Sequence, residues 1–317
     1  MVKAIFMDSE GTLKNKKNEI EMETVNIIND IEQKGVPVVI TTGLPRFISN
    51  KIANRVGANS YLISSNGADI FDLKRNKSIK EIYINKEFLK KIYEESKNDY
   101  NIILGVGIFE YANSSNEYNL NTHPINNIDN IKENIFQCHI SQRNIYIQKL
   151  FDLKEEIMND KSFFLRKNLG KELYEKCLNF DINFMTKEEL NIIARALSFQ
   201  KLLMLKNKIL KYKEIVSLGN QSIDFTNFQI KGETPWFSFN ASGVSKGNAI
   251  KTVCNYLKID AKDTIGIGND YNDKTIIDTV GEFYCPDDAR SFIKEKTNNT
   301  YTLGEIGKVL KKIYERI

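Results

Sequence analysis

Apolar residues recur along the first part of the chain with the spacing of alternating strands and helices. An apolar run that begins at Val2 stops abruptly at Asp8, which predicts a buried strand opening into a loop. Residues 21–34 then place apolar side chains at helical spacing, and Gly35 ends that pattern. Residues 36–40 are again apolar and mostly β-branched, as is typical of a central strand in a parallel sheet.

The order strand, helix, strand favours a right-handed crossover that sets the second strand parallel to the first. Thr42 follows the second strand, so we expect it at the same sheet edge as Asp8, where open α/β sheets bind ligands. The alternation continues and returns near the C-terminus. It predicts helices over 45–56, 247–257, 274–279 and 305–313, and strands over 60–64, 69–72, 263–267 and 282–285.

The middle of the chain changes character from about residue 79. The predicted helices are 86–97, 169–178 and 187–212, the predicted strands are 81–85, 101–106, 140–150, 222–225 and 236–239, and a long loop is predicted over 113–130. This mixture indicates an α+β insertion, residues 81–239, within an α/β core made of residues 1–80 and 240–317. A length of 317 residues also favours two domains.

Composition and charge exclude several classes of function. Lys and Arg exceed Asp and Glu only by 45 to 41, and the surplus is spread along the chain, so no nucleic-acid partner is expected. Four cysteines without paired spacing, Cys138, Cys177, Cys254 and Cys285, predict neither a zinc site nor a disulfide framework. With no visible signal peptide and no apolar run of membrane length, we expect a cytoplasmic protein without a membrane partner. The sequence does not specify the oligomeric state.

Four short motifs occur in a fixed order. They are Asp8-Ser9-Glu10-Gly11-Thr12, Thr41-Thr42-Gly43, Ser245-Lys246-Gly247 and Gly268-Asn269-Asp270-Tyr271-Asn272-Asp273. Together they resemble the haloacid dehalogenase (HAD) superfamily, and within it the Cof-type, sugar-phosphatase-like branch. The resemblance covers roughly the first eighty and the last eighty residues. It implies an α/β fold: a Rossmann-like core with a parallel sheet, and an inserted α+β cap in the type II position.

The resemblance also implies roles for individual residues. Asp8 stands where the family has its nucleophile, which forms an aspartyl-phosphate, and Glu10 stands at the position of the general acid and base. Lys246 would neutralise the phosphoryl charge and steady Asp8. The implied phosphate-binding residues are Thr42, Gly43, Asn66, Lys246 and Asn272. Mg²⁺ is the implied cofactor, with Asp8, the backbone carbonyl of Glu10, and the cluster Asn269, Asp270 and Asp273 as its ligands.

Two residues depart from the family pattern. Glu10 replaces a second Asp, so its carboxyl lies one methylene further from the backbone, and a misplacement of about 1 Å can reduce a rate about a hundredfold. Asn269 replaces an Asp of the fourth motif. Either Asn269 offers its carbonyl oxygen to the metal, or a small shift of the loop makes Asp270 the ligand. The sequence leaves both questions open.

These residues favour a Mg²⁺-dependent phosphatase that hydrolyses a small phosphorylated metabolite, such as a sugar phosphate, through Asp8. Because Glu10 and Asn269 replace Asp, two alternatives remain: a catalytically impaired phosphate- or metabolite-binding protein, and a phosphotransferase that uses an acceptor other than water. A receiver-type signalling domain ranks last, since it would not need Lys246 after so large an insertion. His123 and His139 show no ligand-like spacing and are interpreted as incidental.

Overall fold

Strands and helices alternate through most of the described part of the chain. The computed structural model describes residues 1–15, 17, 19–114, 121–142, 171, 173–176, 185–223 and 233–317. The strands are β1 (Ala4–Met7), β2 (Val38–Thr41), β3 (Tyr61–Ser64), β4 (Asp69–Asp72), β5 (Lys77–Glu81), β6 (Tyr100–Gly105), β7 (Glu110–Ala112), β8 (Thr122–Pro124), β9 (Gln137–Gln142), β10 (Val216–Ser222), β11 (Trp236–Ala241), β12 (Thr264–Ile267), β13 (Glu282–Pro286) and β14 (Asn299–Tyr301). The helices are α1 (Met22–Gln33), α2 (Arg46–Val56), α3 (Lys86–Ser96), α4 (Lys187–Leu210), α5 (Lys246–Leu257), α6 (Lys274–Ile277), α7 (Ser291–Lys294) and α8 (Ile306–Tyr314).

The larger sheet forms the core. Within the described residues its order is β14-β13-β12-β1-β2-β3-β4-β5, parallel from β14 to β3 and antiparallel at β4 and β5. In β1, Ile5 and Met7 belong to an apolar cluster with α1, α2 and α8, whereas Ala4 and Phe6 belong to a second cluster with α5 and α6. Because successive side chains point to opposite faces, helices cover the sheet on both sides, which explains the uninterrupted apolar run.

The smaller sheet lies in the insertion, and we call this part of the molecule the cap. Over the ranges given above its order is β10-β11-β9-β6-β7-β8, antiparallel except for the pair β7 and β8. On one face Ile102, Cys138 and Phe237 pack in an apolar cluster with α3 and α4. The alternate positions, among them His139 and Ser238, line a cavity against the core.

Hydrogen bonds connect the core and the cap where the chain passes between them. After β5, the N–H of Ile82 donates to the carbonyl oxygen of Ala68 in the core at 2.8 Å. The N–H of Phe47 in α2 donates to Gly107 in the loop between β6 and β7, also at 2.8 Å. The cap is therefore held over the carboxyl end of the core strands, where β2 meets α2.

The predicted fold class, an α/β core with a parallel sheet and an inserted α+β unit, is confirmed. Some strands lie at other positions than the sequence predicts, because their polar composition masks the hydrophobic pattern of a strand. The strand expected over 81–85 lies at Lys77–Glu81, where charged residues of an edge strand mask the alternation, and Asn299–Tyr301 is too short and polar to show a pattern. Part of the loop expected over 113–130 forms β8, at Thr122–Pro124.

Some expectations fall outside the described residues. These are Cys177, half of the helix over 169–178, the strand over 140–150 beyond residue 142, and the end of the strand over 222–225. The division into 1–80 with 240–317 and 81–239 stays a prediction; the core sheet extends to Glu81 and the cap sheet to Ala241. No helix in the described ranges combines the length and the apolar character needed to cross a membrane.

Candidate active site

Three core strands end at the same edge of the sheet and bring three of the motifs together. Asp8 follows β1, Thr42 follows β2, and the loop of residues 268–273 follows β12. The N–H of Asp8 donates to the carbonyl oxygen of Ile267 at 2.9 Å, so Asp8 lies directly beside the start of that loop. Parallel pairing of β1 with both of its neighbours produces this convergence, as the crossover argument predicts.

Lys246, from the remaining motif, is the buried cation of this cluster. It begins α5, and the side chain of the preceding Ser245 caps that helix. Its Nζ donates to Oδ1 of Asp8 and to Oδ1 of Asp273, both at 2.6 Å, and the side chain is fully buried. Burial alone would lower the pKa of Lys246, but Asp273 and Asp8 together raise that pKa above its ordinary value. The ammonium therefore stays charged.

Asp8 is a buried carboxyl with one oxygen bound to Lys246. Its residue exposure is only 5%, although it lines the cavity beneath the cap. Burial, together with the negative charge of Asp273, raises the pKa of Asp8 to about 7 against the attraction of Lys246. Asp8, Asp273 and Lys246 together carry two carboxylates and one ammonium, so one negative charge is in excess when all three are ionised. A bound cation would balance this charge.

Asp273 holds the loop after β12 in place. Its Oδ2 accepts from the backbone N–H groups of Asn269 at 2.8 Å and Asp270 at 3.0 Å, while its Oδ1 accepts from Lys246. A Cβ at Gly268 would lie 2.5 Å from the carboxyl carbon of Asp273, so only glycine permits this approach. Asp273 thus connects the loop conformation to the position of the lysine.

The two candidates for the altered metal position, Asn269 and Asp270, contact different partners. Oδ1 of Asn269 accepts from the hydroxyl of Thr12 at 3.1 Å, so this side chain packs on the loop after β1. Asp270 lines the cavity, and its Oδ1 is paired with Nε of Arg290 at 3.1 Å. Asn269 therefore lies against the Asp8 loop without a charge, whereas Asp270 carries a charge that Arg290 partly neutralises.

The oxygen donors around Asp8 fit a magnesium ion. Across the residues that the structure describes, no group of three or more His, Cys, Asp or Glu side chains is arranged to hold a metal by itself. Mg²⁺ does not require such a group, because it is commonly bound by one or two carboxylates with water and substrate phosphate as the other ligands. Asp8, the carbonyl of Glu10, and either Asn269 or Asp270 supply only hard oxygen donors of this kind. Asp273 also stays a predicted ligand, although its Oδ1 accepts from Lys246 and its Oδ2 from two loop N–H groups.

Thr42 is arranged to donate a hydrogen bond into the site. Its Oγ1 accepts from the hydroxyl of Ser9 at 2.9 Å and from the N–H of Leu44 at 3.2 Å. With both acceptor positions used, the hydroxyl hydrogen remains for a ligand oxygen. Gly43 follows directly and also lines the cavity. Ser9 was not predicted, since a serine after a strand is an ordinary loop residue by sequence.

The remaining predicted residues, Glu10, Asn272 and Asn66, differ in how deeply they are buried in the site. Glu10 is exposed and lines the cavity, so its carboxyl stands at the rim and not in the buried cluster. Asn272 lines the cavity and donates from Nδ2 to Oδ1 of Asn66 at 2.9 Å. Asn66 is buried behind it. The structure therefore brings all the predicted site residues into one region, with Asn66 in contact with a lining residue.

The cavity has a volume of about 300 Å³ and lies between the core edge and the polar face of the cap sheet. The core supplies Asp8, Glu10, Thr42, Gly43, Asp270 and Asn272. The polar and aromatic residues from the cap are Glu110, Gln137, His139, Asn220, Trp236 and Ser238. The described lining includes no lysine or arginine, although Lys246 contacts Asp8 from behind and Arg290 contacts Asp270.

His139 corrects one interpretation made from the sequence, because it is not incidental to the site. Its ring stacks near that of Trp236, with centroids 4.7 Å apart and planes at 31°, and both residues line the cavity. Burial lowers the pKa of His139 to about 4, so the imidazole is neutral at neutral pH. The sequence does contain a signal for this role: polar residues alternate with apolar ones in the cap strands. Such alternation indicates that one face of the sheet does not pack against an apolar core.

Comparison with known proteins identifies the family and the fold. The family profile of haloacid dehalogenase-like hydrolases matches residues 5–305. The phosphatase YwpJ of Bacillus subtilis is 24% identical over 300 residues, which cover 92% of each chain. A haloacid dehalogenase-like hydrolase structure from Bacteroides thetaiotaomicron covers 99% of this chain and 100% of its own, with a TM-score of 0.66 and 15% identity. A sugar phosphatase of HAD subclass IIB covers 98% of both chains, with a TM-score of 0.64 and 15% identity.

The family predicted from the four motifs is thus confirmed over nearly the whole chain, including the insertion that the motifs do not cover. The structural matches show that core and cap together have the fold of these proteins. The chain belongs to the haloacid dehalogenase-like hydrolase family.

Proposed function

We propose that this hydrolase removes the phosphoryl group from a small phosphorylated metabolite, with Asp8 as nucleophile and Mg²⁺ as cofactor. The observation that carries the proposal is the buried Lys246, whose Nζ lies 2.6 Å from both Asp8 and Asp273, with Asp8 lining the cavity beneath the cap. Phosphatase activity in the relative YwpJ supports hydrolysis as the reaction. The assignment of each residue follows from its contacts.

The first step is attack of Asp8 on phosphorus. Since Oδ1 of Asp8 is bound to Lys246, Oδ2 is the oxygen that forms the new O–P bond. The bond from phosphorus to the ester oxygen breaks, and the leaving oxygen takes a proton from the carboxyl of Glu10. The hydroxyl of Thr42 and the ammonium of Lys246 stabilise the negative charge on the phosphoryl oxygens.

The second step is hydrolysis of the aspartyl-phosphate. Glu10, now ionised, removes a proton from water as the water oxygen attacks phosphorus. The Asp8–phosphorus bond breaks, inorganic phosphate leaves, and Asp8 and the protonated Glu10 are regenerated. The exposed position of Glu10 lets its longer side chain reach water and leaving group from the rim of the cavity.

Mg²⁺, held by Asp8, the carbonyl of Glu10 and Asn269 or Asp270, would supply positive charge that offsets the repulsion between carboxylate and phosphate. The protein itself keeps Asp8 in place through Lys246 and excludes bulk water with the cap. Of Asn269 and Asp270, Asn269 is the stronger candidate, because its Oδ1 accepts from the neutral hydroxyl of Thr12, whereas Oδ1 of Asp270 is paired with the cationic Arg290.

The cap wall favours a substrate with a neutral, hydroxylated leaving group, such as a sugar phosphate. Gln137, Asn220 and Ser238 offer amide and hydroxyl groups, Trp236 offers a ring face, and His139 is neutral. A second phosphate would meet no lysine or arginine among the described lining residues. A cavity of about 300 Å³ suits a small metabolite.

A second candidate is a binding protein or phosphotransferase in which hydrolysis is lost. The observation that favours it is the exposed Glu10 together with the uncharged Asn269, since both weaken the acid–base and metal positions relative to Asp. In this case phosphate and Mg²⁺ bind without steady release of inorganic phosphate, or the phosphoryl group passes to another acceptor.

The test is release of inorganic phosphate from a generic phosphomonoester and a hexose phosphate, with and without Mg²⁺. Wild type, Asp8→Asn and Glu10→Asp are compared. We expect turnover in wild type that requires Mg²⁺ and is lost in Asp8→Asn. Turnover that persists in Asp8→Asn would reject the proposed nucleophile. Turnover only in Glu10→Asp would support the binding or transfer alternative.

A further inference from the structure

Three asparagine side chains form a hydrogen-bonded line from the cap sheet to the active site. Asn240 lies in β11, Asn66 in the turn after β3, and Asn272 in the loop after β12. Nδ2 of Asn66 donates to Oδ1 of Asn240 at 3.2 Å, and Nδ2 of Asn272 donates to Oδ1 of Asn66 at 2.9 Å. We call these three residues the asparagine line.

The orientation of the three side-chain amides, that is, which one donates to which, is determined at the cap end of the asparagine line. Nδ2 of Asn240 donates to the backbone carbonyl oxygens of Ser65 at 2.9 Å and Phe136 at 2.8 Å. A carbonyl oxygen can only accept, so the amide of Asn240 cannot flip without placing oxygen against oxygen. Its Oδ1 must therefore face Asn66, which fixes the amide of Asn66 and then that of Asn272. The carbonyl oxygen and second amide hydrogen of Asn272 remain for a ligand.

Two glycines leave room for the two links. A Cβ at Gly219 in β10 would lie 2.6 Å from both Oδ1 of Asn240 and Nδ2 of Asn66. A Cβ at Gly43 would lie 3.0 Å from Oδ1 of Asn66 and 3.4 Å from Nδ2 of Asn272. One glycine belongs to the cap and the other to the phosphate-binding loop of the core, so both parts of the protein are shaped around the same line.

The backbone at Asn66 depends on the same contacts. Ser65 and Asn66 both have positive φ, 49° and 60°, a region that residues other than glycine rarely adopt. The N–H of Asn66 donates to the carbonyl oxygen of Thr42 at 3.0 Å, and the carbonyl oxygen of Ser65 accepts from Asn240. Asn240 thus holds the turn as well as the side chain of Asn66.

We propose that Asn240 is a positioning residue that orients Asn272 for the phosphoryl group through Asn66, so that the active site is complete only when the cap strand β11 is docked on the core. Asn240 is fully buried and touches the core at Ser65 and the cap at Phe136. Displacement of β11 would remove the fixed acceptor for Asn66 and release Asn272. This inference rests on the proposed phosphatase function.

The test is a double-mutant cycle of Asn240→Ala and Asn272→Ala, with kcat and KM measured on the same phosphomonoester. We expect Asn240→Ala to lower kcat about tenfold, with a smaller change in KM, and to have almost no further effect once Asn272 is alanine. Effects that multiply in the double variant would overturn the inference, because Asn240 would then not act through Asn272.

Ser217→Ala is the matched control. Oγ of Ser217 donates to the carbonyl oxygens of Ala241 and Val244, both at 3.0 Å, so this variant loosens the same end of β11 without touching the asparagine line. We expect kcat to stay at the wild-type value. An equal loss of kcat in Ser217→Ala would reduce the role of Asn240 to general stability. If Asn240→Ala does not fold, Gly219→Ala tests the same link by steric contact.

A binding measurement separates this inference from the proposed function. Trp236 is the single tryptophan of the chain and lines the cavity, so its fluorescence reports titration with inorganic phosphate in the presence of Mg²⁺. Phosphate affinity should fall in Asn240→Ala by a factor no larger than the change in KM, and only when Asn272 is intact. If wild type shows no turnover but this pattern holds, the proposed function fails while the positioning role stands. Unchanged affinity in Asn240→Ala, with unchanged kcat, would reject the positioning role.

Discussion

Replacement of Lys246 by methionine should make the stability of the metal-free protein strongly dependent on pH. Methionine keeps most of the side-chain volume but removes the charge that lies between Asp8 and Asp273. Both Oδ1 atoms lie 2.6 Å from the same nitrogen, so they are at most about 5 Å apart. Without the ammonium, two buried carboxylates face each other at this distance.

The repulsion sets the size of the effect. Two unit charges about 5 Å apart interact by about 3 kcal/mol at an effective dielectric constant of about 20. Removal of one partner from a buried ion pair typically costs about 3–5 kcal/mol. We therefore expect Lys246→Met to lose about 3–5 kcal/mol of unfolding free energy at pH 8, a large fraction of the stability of an ordinary domain.

The sign of the pH dependence follows from proton binding. In the folded variant one of the two carboxyls has a pKa raised above its unfolded value, so the folded state binds the extra proton. Stability from such a group is fully present at low pH and is lost as pH rises through the folded pKa. The variant should therefore approach wild type near pH 5 and fall furthest below it at pH 8.

Urea unfolding in the presence of EDTA, at several pH values from 5 to 8, measures the difference. Lys246→Met combined with Asp8→Asn is the matched control, because it removes one of the two facing charges and should recover most of the lost stability at pH 8. If Lys246→Met were as stable as wild type at pH 8, or if the double variant recovered nothing, the charge argument would be refuted.

Three further predictions concern other residues of the core and the cap. Burial raises the pKa of Asp69 to about 6 against the attraction of Arg46, so its contribution to stability falls as pH rises; urea unfolding should show wild type losing up to about 3 kcal/mol relative to Asp69→Asn between pH 4 and pH 7. Trp236→Ala should raise KM for a hexose phosphate about three- to tenfold, with a smaller change for a compact ester, in steady-state assays. Gly219→Ala should lower the unfolding free energy by about 1–3 kcal/mol and reduce kcat, because its Cβ displaces the amide of Asn240; an unchanged kcat with lowered stability would contradict the coupling.

Much of the core site was predictable because its residues depend on local patterns. An apolar run followed by a polar residue identifies a strand end, and parallel crossovers bring such ends together. Asp8 and Thr42 could therefore be placed at one edge from sequence alone, and the motif order added Lys246 and Asp273. The structure adds what the spacing does not contain: Asp273 uses Oδ2 to hold its own loop and Oδ1 to hold the lysine.

The cap side of the cavity was not predictable in the same way. His139 and Ser238 become neighbours only through the pairing of β9 with β11, two strands far apart in the chain. Their polar face can be recognised as a cavity wall only once the cap is known to pack over the core. The role of Asn240 could not be predicted for a related reason. Its partners are backbone carbonyl oxygens and an asparagine in a turn, and no local sequence pattern predicts such contacts.

The most direct test of the central claim is to trap the phosphoryl group on Asp8. Glu10→Gln should slow the hydrolysis of the aspartyl-phosphate, while a nitrophenyl phosphate, whose leaving group needs no proton, still forms it. Acid quenching during turnover of this ester in Mg²⁺, followed by mass spectrometry of the digested protein, should therefore detect the adduct. We predict one added phosphate on the peptide that contains Asp8, labile to hydroxylamine and absent in Asp8→Asn. Steady turnover with the phosphate on another residue, or with the same adduct in Asp8→Asn, would contradict the account.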